Sequence, residues 1–114
     1  MADVAYLVRD MLFTSKIREV AKQLGVTVAA AREPAEVARA AAGARLVLLD
    51  LRLDGALAAL DALAADPALA GVATVGFIDH ERTDVMAEAR ARGCREVLTK
   101  GQFSKELPRI LGPA

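Results

Sequence analysis

Short apolar runs alternate with stretches of helical periodicity along the whole chain. Residues 3–8 (Asp-Val-Ala-Tyr-Leu-Val) form the first run, and Arg9-Asp10 ends it. Phe13, Ile17, Val20, Ala21 and Leu24 then recur on one helical face, predicting a helix that Gly25 stops. Val26 to Ala30 reads as a second strand. Glu33-Pro34 opens another helix, with proline in the first turn where its missing N–H costs nothing, and this helix runs to Gly43. Arg45-Leu46-Val47-Leu48-Leu49-Asp50 has the unbroken apolar character of a strand buried on both faces. Gly55 to Ala65 is helical, 72–78 is a fourth strand, and Thr83 to Arg92 is a helix closed by Gly93. Residues 96–98 make a fifth strand, and Ser104 is expected to cap a last helix holding Leu107, Ile110 and Leu111. Five strands alternating with five helices through short connections predict an α/β fold, a five-stranded parallel sheet wound on both faces.

The composition narrows the function. The 114 residues suit a single domain, taken as 1–114. Fifteen basic residues balance fifteen acidic ones, and a chain without a basic excess is not expected to take nucleic acid as its main partner. One cysteine, Cys94, and one histidine, His80, exclude a disulfide framework and the usual structural zinc sites. No apolar run reaches the ~18 residues of a membrane span, and the N-terminus lacks a secretory pattern. The expectation is a soluble, cytoplasmic domain with no membrane partner.

In open parallel sheets, ligands bind beyond the carboxyl ends of the strands, near the point where strand order reverses. Arg9 and Asp10 follow strand one, Asp50 ends strand three, Ile78 to His80 follow strand four, and Thr99-Lys100 end strand five. Two carboxylates and two cations therefore converge at one edge. By polarity alone they form either a functional site or a structural ion-pair cluster. The segment Asp10 to Lys16 contains no glycine, and the acid at its head would repel a cofactor phosphate. That counts against the flavodoxin-like alternative, a small cofactor-binding module. His80 beside Asp79 is expected to face solvent, and Cys94 to be a small core residue.

The order and spacing of two segments carry a resemblance. Leu46-Val47-Leu48-Leu49-Asp50-Leu51-Arg52-Leu53-Asp54-Gly55 and Ala89-Arg90-Ala91-Arg92-Gly93-Cys94-Arg95-Glu96-Val97-Leu98-Thr99-Lys100 look like the strand-three and strand-five signatures of receiver domains of two-component response regulators. The resemblance covers residues 3–111 and implies the chemotaxis-type, flavodoxin-like (βα)5 receiver fold. It implies that Asp50 is the phosphoacceptor, and that Asp10, Asp50 and the main-chain carbonyl of Arg52 are the magnesium ligands. It also implies that Lys100 pairs, as a point charge, with the acceptor carboxylate or its phosphoryl oxygens.

Four positions depart from the family pattern. Arg9 replaces the first of two adjacent acids, Ile78 the hydroxyl residue ending strand four, Val97 the rotating aromatic of strand five, and Gly101 the proline after the lysine. An ordinary trans loop is expected at Gly101. With Asp10 and Asp50 facing Arg9 and Lys100, the pocket would carry no net charge. A divalent ion ~6 Å from a guanidinium is repelled by roughly 5 kcal/mol at an effective dielectric of ~20. Arg9 is therefore expected to stand in for the metal by pairing with Asp10 or Asp50, leaving no cofactor, or magnesium bound weakly. Ile78 and Val97 are expected to be degenerate switch positions. The chain then reads as a pseudo-receiver: a stand-alone, non-enzymatic signalling domain working through a protein partner on the helix-four/strand-five/helix-five face, or through a homodimer. The alternative is a genuine phosphorelay receiver, phosphorylated on Asp50 by a histidine kinase.

Overall fold

A computed structural model describes residues 2–112. Its elements run β1 (Val4–Leu7), α1 (Met11–Leu24), β2 (Val28–Ala30), α2 (Val37–Ala40), β3 (Leu46–Asp50), α3 (Ala56–Ala65), β4 (Ala73–Ile78), α4 (Thr83–Ala91), β5 (Glu96–Thr99) and α5 (Lys100–Leu111). The strands form one parallel sheet in the order β2-β1-β3-β4-β5. The chain steps outward from β1 to β2 and then crosses to β3 on the other side. The order thus reverses between β1 and β3, where a crevice opens at their carboxyl ends.

The central strands β1, β3 and β4 are buried on both faces, and their successive residues feed two cores. Val4, Tyr6, Leu46, Leu48, Val75 and Phe77 pack beneath α1 and α5 with Ile17, Phe103 and Leu107. Ala5, Leu7, Val47, Leu49, Ile78 and Val97 pack beneath α2, α3 and α4 with Val37, Leu60 and Ala89. The continuous apolar strand 46–50 is the centre of both.

Two elements differ from expectation. The helix expected over 33–43 is a 3₁₀ turn, Pro34–Glu36, followed by a single α-turn. A capping box between Glu33 and Glu36 starts it, and Gly43, at φ +81°, carries the chain out early. The last helix begins at Lys100, four residues before Ser104. Thr99 Oγ1 accepts from the Gln102 amide (3.2 Å), while Gln102 Oε1 accepts from the Thr99 amide (3.0 Å). That reciprocal cap starts α5 directly from β5, so Gly101 lies in the helix's first turn and the expected loop is absent. Its peptide bond is trans, as are all the others among the described residues. Ser104 lies inside the helix, where its hydroxyl accepts from Lys16 Nζ at 2.7 Å.

Candidate functional site at the carboxyl edge of the sheet

Asp50 is the last residue of β3, paired in register with Phe77 of β4, and its side chain is only 2% exposed. The chain turns sharply after it. Leu51 donates its amide to the Phe77 carbonyl (3.0 Å) and packs over Gly76, where a Cβ would come within 2.8 Å of Leu51 Cδ1. The Asp50 carboxylate then shapes its own turn, Oδ1 accepting from the Arg52 amide at 3.0 Å. This turn folds the Arg52 side chain back over the carboxylate. Arg52 Nε donates to Oδ1 (2.9 Å) and its terminal nitrogen to Oδ2 (2.8 Å), the fork-to-fork geometry of a strong guanidinium–carboxylate pair.

Three rings support the guanidinium. Phe77 of β4 and Phe103 of α5 stack at 4.3 Å, Phe13 of α1 sits 4.9 Å from Phe77, and the Arg52 Cζ lies 5.8 and 5.7 Å from the Phe13 and Phe77 centroids. A planar cation held over aromatic faces is favoured electrostatically, more so when partly desolvated, and the Arg52 side chain is 30% exposed. Its bonds to Asp50, more than any other influence, hold its pKa above the ordinary arginine value.

Asp10 completes the cluster from β1. It is the N-cap of α1, with Oδ1 accepting from the Leu12 amide at 2.9 Å and from the Phe13 amide at 3.4 Å. Its other oxygen lies 3.7 Å from the same Arg52 nitrogen that binds Asp50. Since Asp10 takes up two of the free amides at the head of α1 and sets a negative charge there, a cofactor phosphate is poorly served at that end, which disfavours the flavodoxin-like module. The helix begins at Met11, so residues 11–16 are its first turns.

Arg9 is not part of this cluster, which corrects the assignment made from sequence. Its Nε and terminal nitrogen donate to the Arg32 carbonyl at 3.2 and 2.8 Å, on the exposed flank beside β2. Neighbouring residues leaving a strand point to opposite sides, so placing Asp10 at the crevice sends Arg9 away from it. Nor does Lys100 pair with Asp50. Its Nζ lies 2.8 Å from Asp79 Oδ1, and this contact, chiefly, holds the Asp79 carboxyl below the usual carboxylate range. Both Asp50 oxygens already accept from Arg52, while Asp79, one residue beyond β4, stands next to the end of β5 through the Ile78–Thr99 pairing.

Ile78 and Val97 are buried in the core beneath α3 and α4, and neither side chain can form a hydrogen bond. His80 is exposed, with Nε2 3.6 Å from Glu81. Cys94 is buried, its Sγ 3.2 Å from the Glu96 carbonyl, and burial pushes the thiol pKa up, which suits a packing residue. Sequence reasoning missed the Arg52 side chain as the partner of Asp50, Asp79 as the partner of Lys100, and the aromatic platform. One signal was present: the chain's three phenylalanines lie three residues after Asp10, one before Ile78 and three after Lys100.

The donor set does not fit magnesium as it stands. Among the described residues no group of three or more metal-ligating side chains forms a cage. Of the three expected ligands, the Asp50 carboxylate is bound by a guanidinium, Asp10 serves as a helix cap, and the Arg52 carbonyl belongs to the turn that carries that guanidinium. No described helix is long and apolar enough to cross a membrane.

No family model and no curated protein matches the chain. Solved structures do. A two-component response regulator from Legionella pneumophila superimposes with a TM-score of 0.81 at 15% identity, over 96% of this chain and 95% of its own. A response regulator from Hahella chejuensis gives 0.78 at 20% identity, over 96% and 92%. The receiver domain of a sensor histidine kinase from Pseudomonas aeruginosa, with magnesium coordinated in its active-site cleft, gives 0.73 at 19% identity, over 99% and 100%. The chain has the flavodoxin-like receiver fold: five parallel strands and five helices, with Asp50 at the crevice where strand order reverses.

Proposed function

We propose that the chain is a non-enzymatic, receiver-like signalling domain whose acceptor-position aspartate is withheld from magnesium-dependent phosphorylation by Arg52. The observation that carries this reading is the two-pronged Arg52–Asp50 pair. For Asp50 to act as a phosphoacceptor, one carboxylate oxygen must be free to attack phosphorus and the other free to meet a cation. Here both accept hydrogen bonds from one guanidinium. Magnesium gives up its waters reluctantly, and it gains little from a carboxylate that must first be stripped of a bound cation.

A readout by movement is also poorly supported. Ile78 has no hydroxyl to draw toward a phosphoryl group, and Val97 has no ring to rotate. The domain then acts through protein contacts rather than a switch, with the α4–β5–α5 face as its partner surface or dimer interface. Several charges of that region are already satisfied internally, Arg109 by Glu96 (2.9 Å) and Glu106 (2.8 Å) and Arg82 by Asp84 (3.1 Å), while Arg90, Arg95 and Lys105 remain exposed. That surplus suits a partner carrying acidic groups.

Incubation with acetyl phosphate and magnesium, followed by intact-mass measurement, tests the reading. The expected result is an unmodified protein, and a phosphoryl adduct gained on Arg52→Ala. A stoichiometric adduct on the wild-type chain, lost in Asp50→Asn, would establish the rival reading of a working phosphorelay receiver.

A further inference from the structure

At the amino edge of the sheet, the end opposite the crevice, a cleft of about 340 Å³ lies between the last turn of α5 and the starts of β3, β4 and β5. Its floor is apolar, formed by Leu46, Val75 and Ile110. Its walls carry three guanidiniums, Arg45, Arg95 and Arg109, against one carboxylate, Glu96. Strand pairing fixes the backbone of two of these arginines. Arg45 immediately precedes β3, with its amide on the Asp3 carbonyl (2.9 Å) and its own carbonyl accepting from the Ala73 amide (3.0 Å). Arg95 immediately precedes β5, and its amide donates to Thr74 Oγ1 at 3.1 Å.

The three side chains are not equally engaged. Arg109 is spent on Glu96 (2.9 Å) and Glu106 (2.8 Å). Arg45 gives one terminal nitrogen to the Leu111 carbonyl at 2.8 Å. Among the described residues neither Arg45 nor Arg95 is held in an ion pair. Asp3, beside Arg45, spends its carboxylate on the amide and hydroxyl of Thr27 (2.9 and 3.0 Å).

We propose that this cleft binds a small phosphomonoester with a compact apolar body, its phosphoryl group met by Arg45 and Arg95 and its body laid on the Leu46–Val75–Ile110 floor. The inference is independent of the reading of Arg52. A guanidinium presents five N–H donors in a rigid fork, and one carboxylate is satisfied by a single fork, whereas a phosphomonoester has three terminal oxygens to divide among several. A dianion also relieves the repulsion between neighbouring cations. The volume sits at the small end of the ~300–1,000 Å³ typical of ligand sites, enough for a phosphate and one ring or short chain and too little for a dinucleotide. Glu96 is the competing anion. It occupies Arg109 and turns its charge toward an arriving phosphate, so it limits affinity.

Calorimetric titration of the full chain tests the assignment, without magnesium and at about pH 8, where a phosphomonoester is a dianion. Phenyl phosphate, inorganic phosphate and benzoate are compared. Phenyl phosphate is expected to bind about tenfold tighter than inorganic phosphate, which lacks the body, and tighter than benzoate, which lacks the dianion. Arg95→Ala, at an exposed side chain, should weaken phenyl phosphate by about tenfold, and Glu96→Gln should tighten it by about threefold. Amide NMR shifts on titration should centre on Gly71, Arg95 and Gly112. Equal affinity for the three anions, indifference to Arg95→Ala, or shifts centred instead on Arg52 and Gly101 at the crevice would each overturn the proposal.

Discussion

Under α1 and α5 the sheet presents Phe77 to Phe13 and Phe103. Under α3 and α4, one residue further along the same strand, it presents Ile78 to Val97 and its aliphatic neighbours. The first face reaches the crevice as a stack of rings that ends in a guanidinium and two carboxylates. The second reaches it as hydrocarbon. The resemblance to receiver domains implies a signal passed through the second face by a hydroxyl and a rotating ring, and the two residues at those positions here, Ile78 and Val97, have no side-chain hydrogen-bonding group. The polar construction has been concentrated on the other side, where it holds a cation in place. The fold and an aspartate at its carboxyl edge are only part of the construction. What lies beneath the crevice on each face matters as much.

Truncating each face at its last strand residue should separate the two most widely. Phe77→Ala removes a fully buried ring, two aromatic contacts and half of the platform under Arg52. A loss of about 4–5 kcal/mol is expected, the upper part of the range for large aromatic truncations. Ile78→Ala empties an aliphatic site that neighbours can partly refill, for about 2–4 kcal/mol. Urea unfolding midpoints at constant slope measure both, and equal losses would mean that the aromatic face has no special hold on the crevice.

The next contrast lies between two arginines. Arg52→Ala strips the counter-ion from an enclosed carboxylate. It should cost about 1–3 kcal/mol, below the value for a fully buried pair because Arg52 keeps some exposure. Arg9→Ala removes only an exposed pair of bonds to one carbonyl, for about 0.5–1 kcal/mol. A larger loss at Arg9 than at Arg52, again by urea unfolding, would invert the assignment of the crevice cation.

How far these contrasts were visible in the sequence depends on the range of the forces involved. The strand 46–50 and the α1 pattern from Phe13 to Leu24 are legible because burial imposes a period on neighbours in the chain. The location of the crevice followed from the alternation of elements, and Asp10 and Asp50 from their places at its edge. The identity of the cation did not follow. Arg9 is the charged neighbour of Asp10 in sequence, but strand parity turns it away. The turn after Asp50, governed by that residue's own side chain, brings Arg52 in. The start of α5 was written in the chain as Thr99 and Gln102, a spacing that outranks a lone Ser104. Asp79 and the ring platform depend on which strands end side by side, and that is settled only by the assembled sheet.

The smallest expected effect tests the outer limit of the polar side. Asp79 has a folded-state pKa below its unfolded value of 3.8, mainly through its bond to Lys100. A depressed carboxylate stabilises the fold above its unfolded pKa, and that contribution disappears as the pH falls through the folded value. Asp79→Asn should therefore be slightly less stable than wild type at about pH 7, and the difference should close below pH 3.8 as wild-type Asp79 takes up its proton. Salt should shrink the neutral-pH difference too, since the pair is exposed and the screening length is about 8–10 Å at physiological ionic strength. The Asp50–Arg52 pair, enclosed on one side, should respond less to salt. Paired urea titrations across pH and salt provide the measurement. A difference between wild type and Asp79→Asn that persists undiminished in acid would show that the carboxylate acts through shape rather than charge, and that Lys100 is held by something else.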